Sequence, residues 1–223
     1  QLEVFTALAP HARYGVASQE VEPALGWAYT GFLAELAANP DMTGADLGRF
    51  IVESYINEDQ RIVDDEARQA FLSRSGGGGL AGLFGLFGGG GSTMSSQQLA
   101  QQLGKNVTLS AVDLAQIPAL VASLNDLAFA LQDESQPLVA QARNYAQSYT
   151  NVFGNTVPPS YIDLGHFVQL LQQQTGNAAV INAGDAVLTN LSQTVVAEKH
   201  GPDSPGSTGV AIYFPNSQLY TNP

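Results

Sequence analysis

The 223-residue chain is 44% hydrophobic and carries twenty acidic against eight basic residues, a net charge of -12. That content is enough to bury one sizeable core or two small ones, which excludes disorder along the whole length. The charge repels phosphate backbones and anionic surfaces, so nucleic acid is excluded as a partner, and the absence of cysteine excludes a disulfide, a thiolate zinc site and a cysteine nucleophile within these residues.

The chain opens at Gln1 directly into an apolar pattern, Leu2, Val4, Phe5 and Leu8, which predicts a short helix and a segment internal to a longer protein. Pro10 ends that helix, and residues 13–18 form a compact strand candidate. The loop 19–26 is broken by Pro23 and Gly26, and a helix follows from Trp27 to residue 38. Thr43 with Asp46 three residues on has capping-box form, and Leu47, Phe50, Ile51, Ser54 and Tyr55 continue at helical spacing. Residues 57–73 are acidic and less regular.

Residues 75–95 are of low complexity, two glycine runs around Leu80, Leu83, Phe84, Leu86 and Phe87. Ordering so much glycine costs conformational entropy, so this tract is expected to be a flexible insertion. It lacks the Gly-Lys-Ser/Thr ending of a nucleotide loop. No uninterrupted apolar run reaches the roughly 18 residues of a membrane span.

Beyond it, residues 106–110 read as a strand, and Ser110 with Asp113 as a second capping box before a long amphipathic helix through Leu114, Ile117, Val121, Leu124, Leu127 and Leu131. A polar helix over 135–149 and a loop at Pro158-Pro159 come next. Helices over 164–174 and 178–191 precede a strand at 194–198, a turn-rich loop at 200–207 and a last strand at 209–215, apolar enough to be buried on both faces. Few strands among many helices predict an α/β fold.

Three stretches together resemble the clostripain family of cysteine peptidases: Val16-Ala17-Ser18-Gln19-Glu20-Val21-Glu22-Pro23 with Gly26, Trp27 and Tyr29; Tyr161-Ile162-Asp163-Leu164 with Phe167; and Gly209-Val210-Ala211-Ile212-Tyr213-Phe214-Pro215. Thr108 to Leu114, between them, is similar to the family's entry to its central helix. The resemblance implies a partial caspase-like α/β/α sandwich, with helices predominating and the N-terminal strands missing. Residues 1–74 would carry the later part of the catalytic domain with its cleft loop, 75–95 the insertion, and 96–223 the remaining helices and strands. The cysteine and histidine of the family's dyad would both lie upstream of Gln1, leaving no catalytic residue here.

What the resemblance implies for this chain is one wall of a substrate cleft in an endopeptidase that cleaves after Arg or Lys. Backbone groups near Ser18 and Gln19 would pair with an extended peptide, Glu20 or Glu22 would face a basic side chain, and Trp27 would form an apolar wall. Equally open are Glu20 and Glu22 as solvated loop carboxylates and Trp27 as core. Ala24-Leu25 departs from an acid-rich pocket. The implied partners are a peptide or protein substrate and the missing N-terminal part of the same protein, with a monomer when intact and an extracellular or cell-envelope bacterial location. The alternative reading is a non-catalytic acidic α/β binding or scaffold domain.

No cofactor is evident, and calcium is implied by the family only. The acids Asp59, Asp64, Asp65 and Glu66 lack the glycine-centred order of an EF-hand loop. His11, His166 and His200 have no companion at metal-ligand spacing and read as surface or loop residues. Ser18, Ser110 and Ser207 sit in no nucleophile elbow.

Overall fold

The computed structural model describes residues 1–22, 25–74, 95–149 and 159–216. The expected glycine-rich insertion lies outside them except for Ser95, as do Pro23, Ala24 and Pro158.

Helix α1 (Leu2–Leu8) turns Leu2 and Phe5 into the core, and strand β1 (Tyr14–Ala17) follows. Helix α2 (Tyr29–Ala38) starts two residues beyond Trp27. Helix α3 (Gly44–Ser54) begins at the expected cap, where the Thr43 hydroxyl accepts the Asp46 N–H at 3.1 Å. The acidic stretch after it is more regular than its pattern suggests, because its carboxylates act as caps. Asp59 accepts the Arg61 N–H at the start of α4 (Gln60–Val63), and Asp64 accepts the Ala67 N–H as α5 (Asp65–Arg74) begins.

Helix α6 (Ser96–Leu103) opens on a full capping box between Ser95 and Gln98 and buries Leu99 and Leu103. Strand β2 (Thr108–Asp113) is longer than expected and is buried along its whole length. It runs antiparallel to β1 on one side and to β4 (Val195–His200) on the other. The expected cap at Ser110 does not form. Ser110 sits mid-strand, donating to the Gly209 carbonyl at 2.7 Å, and Asp113 instead accepts the Ala115 N–H to start the 3-10 turn Leu114–Gln116.

That turn leads into α7 (Ile117–Ala130), with Pro118 harmless in its first turn, and a second 3-10 turn, Leu131–Asp133. By length and composition Leu114–Asp133 is apolar enough to cross a membrane. Here one face of it is core, through Leu114, Ile117, Leu120 and Leu127. Helices α8 (Gln136–Tyr145), α9 (Leu164–Gln174) and α10 (Ala178–Thr194) complete the set. Strands β3 (Tyr161–Asp163) and β5 (Ala211–Tyr213) pair antiparallel as a small second sheet. The last strand is not buried on both faces, since Tyr213 is 55% exposed.

Side chains alternate across a strand, so the two faces of β2 feed two cores. Leu109 and Ala111, with Val16 and Ala197, join Phe32, Ile51, Ile62 and Leu99. Val112 joins Phe5, Leu120, Leu171 and Val187 on the other side. The result is helices on both faces of a sheet, an α/β/α sandwich, and β2 is buried along both faces, with its one mid-strand hydroxyl, Ser110, hydrogen-bonded. At the end of β1 the chain leaves the sheet edge, and that exit positions the candidate site.

Candidate functional site

Thr108 is a polar side chain with no solvent exposure at the start of β2, and it must be hydrogen-bonded to be tolerated there. Its Oγ1 accepts the backbone N–H of Gln19 at 2.9 Å and of Glu20 at 2.8 Å, and lies 2.9 Å from Ser18 Oγ. With two N–H groups on the oxygen, the Thr108 proton is directed to Ser18, and the Ser18 proton is left to point elsewhere. One hydroxyl therefore fixes three successive residues of the loop.

Those residues line a cleft of about 350 Å³ with Gln1, Phe5, Val21, Tyr149 and Ala211. The Gln1 carboxamide bridges the two sheets across it, donating to Ala17 O at 3.3 Å and accepting from Ala211 N at 2.9 Å. Behind the cleft lies a buried polar chain. Gln19 Nε2 makes a long contact of 3.5 Å to Ser207 Oγ, and the Tyr149 hydroxyl is 3.2 Å from Ser207 Oγ and donates to Asp163 at 2.8 Å.

Asp163 has no solvent exposure. Burial raises its carboxyl above the usual range, although the N–H groups of His166 and Thr208 and the hydroxyls of Thr208 and Tyr149 all donate to it. Burial, with the Asp163 charge behind it, likewise pushes the Tyr149 phenol far up. This network is a rigid floor. One group of the loop is different: Gln19 Oε1 is buried and has no hydrogen-bond partner among the described residues.

The five expected site residues thus divide. Ser18, Gln19 and Glu20 line the cleft together. The Gln19 N–H, among the backbone groups near Ser18 and Gln19 expected to pair with a peptide, is instead committed to Thr108, as is the N–H of Glu20. Glu22 accepts the Trp27 indole N–H at 3.0 Å, and Trp27 stacks on Tyr29 and lines a separate hollow of about 210 Å³ with Asp59, Gln60 and Arg61. Leu25 is core. Thr108, Tyr149 and Gln1 are the site residues that sequence reasoning missed. Thr108 carried a signal, as a hydroxyl within a strand candidate.

Three of the four acids with calcium in view have partners within the protein: Asp59 and Asp65 ion-pair with Arg61 and Arg68, and Asp64 caps α5. No group of three metal-ligating side chains occurs among the described residues. His11 is exposed, and His200 contacts Glu198 at 2.8 Å. His166 departs from the expected surface or loop residue, for it lies in the first turn of α9 and its Nδ1 accepts the Gln147 N–H at 2.9 Å. Neither Ser18 nor Ser207 is hydrogen-bonded to a histidine among the described residues, so neither has the geometry of a base-activated nucleophile.

The sequence model of the clostripain family matches residues 1–73, the stretch that contains the pinned loop. In those residues the chain is similar to the clostripain family. No curated protein matches the chain. Three solved structures share its fold: a Bacteroides fragilis cysteine protease (TM-score 0.52, 15% identity, 99% of this chain and 76% of that one), an inactive zymogen C11 protease from Parabacteroides distasonis (0.58, 14%, 99% and 51%), and a secreted C11 cysteine protease from Bacteroides thetaiotaomicron in complex with an irreversible peptide inhibitor (0.51, 16%, 97% and 50%). The chain spans about half the length of the latter two. The cleft joins both parts of the chain, with Gln1, Phe5 and residues 17–21 from the clostripain-matched segment and Tyr149, Tyr161 and Ala211 from beyond it.

Proposed function

We propose that this chain supplies one wall of the peptide-binding cleft of a clostripain-like cysteine endopeptidase. The observation that carries the reading is the Thr108 clamp, which holds Ser18, Gln19 and Glu20 at the lip of a cleft and leaves the Ser18 hydroxyl proton and the unpartnered Gln19 Oε1 for a ligand. A peptide N–H would satisfy Gln19 Oε1. Glu20, within a chain of net charge -12, favours a cationic side chain beside it, which is the basis for cleavage after Arg or Lys.

Because the 223 residues contain no cysteine, the chemistry of such an enzyme comes from a segment outside them. There a thiolate attacks the peptide carbonyl, a histidine protonates the leaving amine, and backbone amides stabilise the oxyanion. This chain alone is therefore inactive and acts in substrate recognition. Action on peptides outside the cell fits the secreted C11 protease whose fold it shares.

The test is a pair of measurements on the chain as it stands. Arg- and Lys-containing peptides incubated with it should show no turnover, and the same peptides in an NMR titration should shift the amides of residues 18–21. Turnover that survives thiol alkylation would contradict the reading, as would shifts confined to other surfaces.

A further inference from the structure

A second hollow, of about 290 Å³, lies between α8, the 3-10 turn Leu131–Asp133 and the segment after β5. Its apolar walls are Leu131, Val139, Phe214 and Pro215, and the Phe214 ring is held by an edge contact with Phe167 at 5.4 Å between centroids. Arg143 lines it and is only 7% exposed.

Every acceptor that Arg143 reaches among the described residues is neutral. Nε donates to Phe214 O at 2.8 Å, Nη2 to Pro159 O, and Nη1 to Asn144 Oδ1 at 3.4 Å. Three of the five guanidinium N–H groups are so used, and no carboxylate of the described residues pairs with the charge. Burial pulls its pKa down, yet a guanidinium stays protonated at any ordinary pH. A buried cation without a counter-charge is costly, so an anion would be strongly favoured there.

The same hollow holds an acid. Glu134 accepts from the Thr175 hydroxyl and from Ser135 N at 2.9 Å, and these bonds hold its pKa below the usual range. It forms no ion pair with Arg143, so the hollow presents one positive and one negative charge among apolar walls.

We propose that this hollow is a binding site for a small zwitterion with an apolar body, an apolar amino acid or dipeptide, its carboxylate on Arg143, its ammonium on Glu134 and its side chain against Leu131, Val139 and Phe214. The volume sits at the small end of ligand pockets, about 300–1,000 Å³, which selects against longer peptides. The site is distinct from the cleft beside Ser18 and stands whether or not that cleft binds peptides.

Calorimetric titration with leucine and leucyl-leucine tests it, with leucinamide and N-acetyl-leucine as probes lacking one charge each. Leucine or the dipeptide should bind, and each singly charged probe should bind about tenfold or more weakly. Arg143→Lys should abolish binding. Because Arg143 also ties the carbonyls of Pro159 and Phe214, Glu134→Gln is the cleaner variant, and it should weaken leucine to the level of N-acetyl-leucine without lowering the melting temperature. Absence of binding by either zwitterion at about 10 mM, far above ordinary ligand affinities, would overturn the proposal. So would equal binding of all probes, or indifference to Glu134→Gln.

Discussion

The Thr108 hydroxyl accepts the Glu20 backbone N–H at 2.8 Å across 88 residues of chain, joining the loop after β1 to the start of the central strand. Replacing Thr108 with valine keeps its shape but leaves the Gln19 and Glu20 N–H groups without their acceptor. An unsatisfied buried donor costs about 1–3 kcal/mol, so Thr108→Val should lower stability by roughly 2–4 kcal/mol, whereas Thr108→Ser should recover most of it. Hydrogen exchange at Gln19 and Glu20 provides the local check. Their amides should exchange faster in the valine variant and near the wild-type rate in the serine variant.

Two glycines offer a contrast in backbone packing. A Cβ at Gly201 would lie 2.0 Å from Gly104 O and 2.2 Å from Lys105 O, and neither main-chain atom can give way. At Gly176, between α9 and α10, a Cβ meets nothing within 4 Å. Gly201→Ala should therefore cost more than about 3 kcal/mol or prevent folding, while Gly176→Ala should be neutral or gain about 0.4–1 kcal/mol by stiffening the unfolded chain. Melting temperatures of the two variants decide it.

Helices α1, α3, α7, α9 and α10 were legible because each carries apolar residues at helical spacing, with Thr43 and Pro118 marking two of the starts. Helix α6 was not, although Ser95 and Gln98 spell a capping box, because the preceding glycine tract draws the eye to disorder. Its stability comes from burying Leu99 and Leu103, about 1.5–3 kcal/mol each, a tertiary effect invisible in a short polar window. Ser110 misled because a hydroxyl three residues before a carboxylate reads alike in a cap and in a buried strand. What decides is a partner 99 residues away, the Gly209 carbonyl. The candidate site was half legible for the same reason. Ser18, Gln19 and Glu20 lie on one loop, but the Thr108, Tyr149 and Ala211 that complete the cleft come from distant parts of the chain.

Glu198 gives a pH dependence with a definite sign. Burial raises its carboxyl above the usual range, with the His200 and Ser207 hydrogen bonds and the His200 charge pulling it partly back and Asp163 adding to the rise. A carboxyl that holds its proton more tightly when folded contributes stability that is full below the unfolded pKa and is lost as pH rises through the folded one. Stability should thus fall as pH climbs through the region just above the ordinary carboxylate range. Glu198→Gln should flatten that slope while leaving the part due to Asp163 and the overall negative charge. Melting curves across the window test this, and equal slopes in the two proteins would rule it out.

Gln19 and Trp27 should separate under mutation, since one faces the cleft and the other backs a core. Gln19 Oε1 has no partner among the described residues, so Gln19→Ala removes an unsatisfied buried acceptor and should leave stability unchanged or slightly raised. Trp27 donates to Glu22, stacks on Tyr29 at 6.3 Å and packs against the core formed by Phe32, Ile51 and Tyr55. Cutting it to alanine exposes that surface and strands the Glu22 carboxylate, a loss of about 2–4 kcal/mol for a half-buried indole. Peptide affinity should respond in the opposite pattern. Gln19→Ala should weaken binding about three- to tenfold, as expected for one lost hydrogen bond, and do so unequally among peptides that differ in the residues meeting the loop. Trp27→Ala should lower the melting temperature and affect all peptides alike. Parallel titrations with several Arg- and Lys-containing peptides, each variant paired with its melting curve, distinguish the two. A peptide-dependent loss at Trp27 with unchanged stability would move the recognition surface from the cleft beside Ser18 to the hollow beside Arg61.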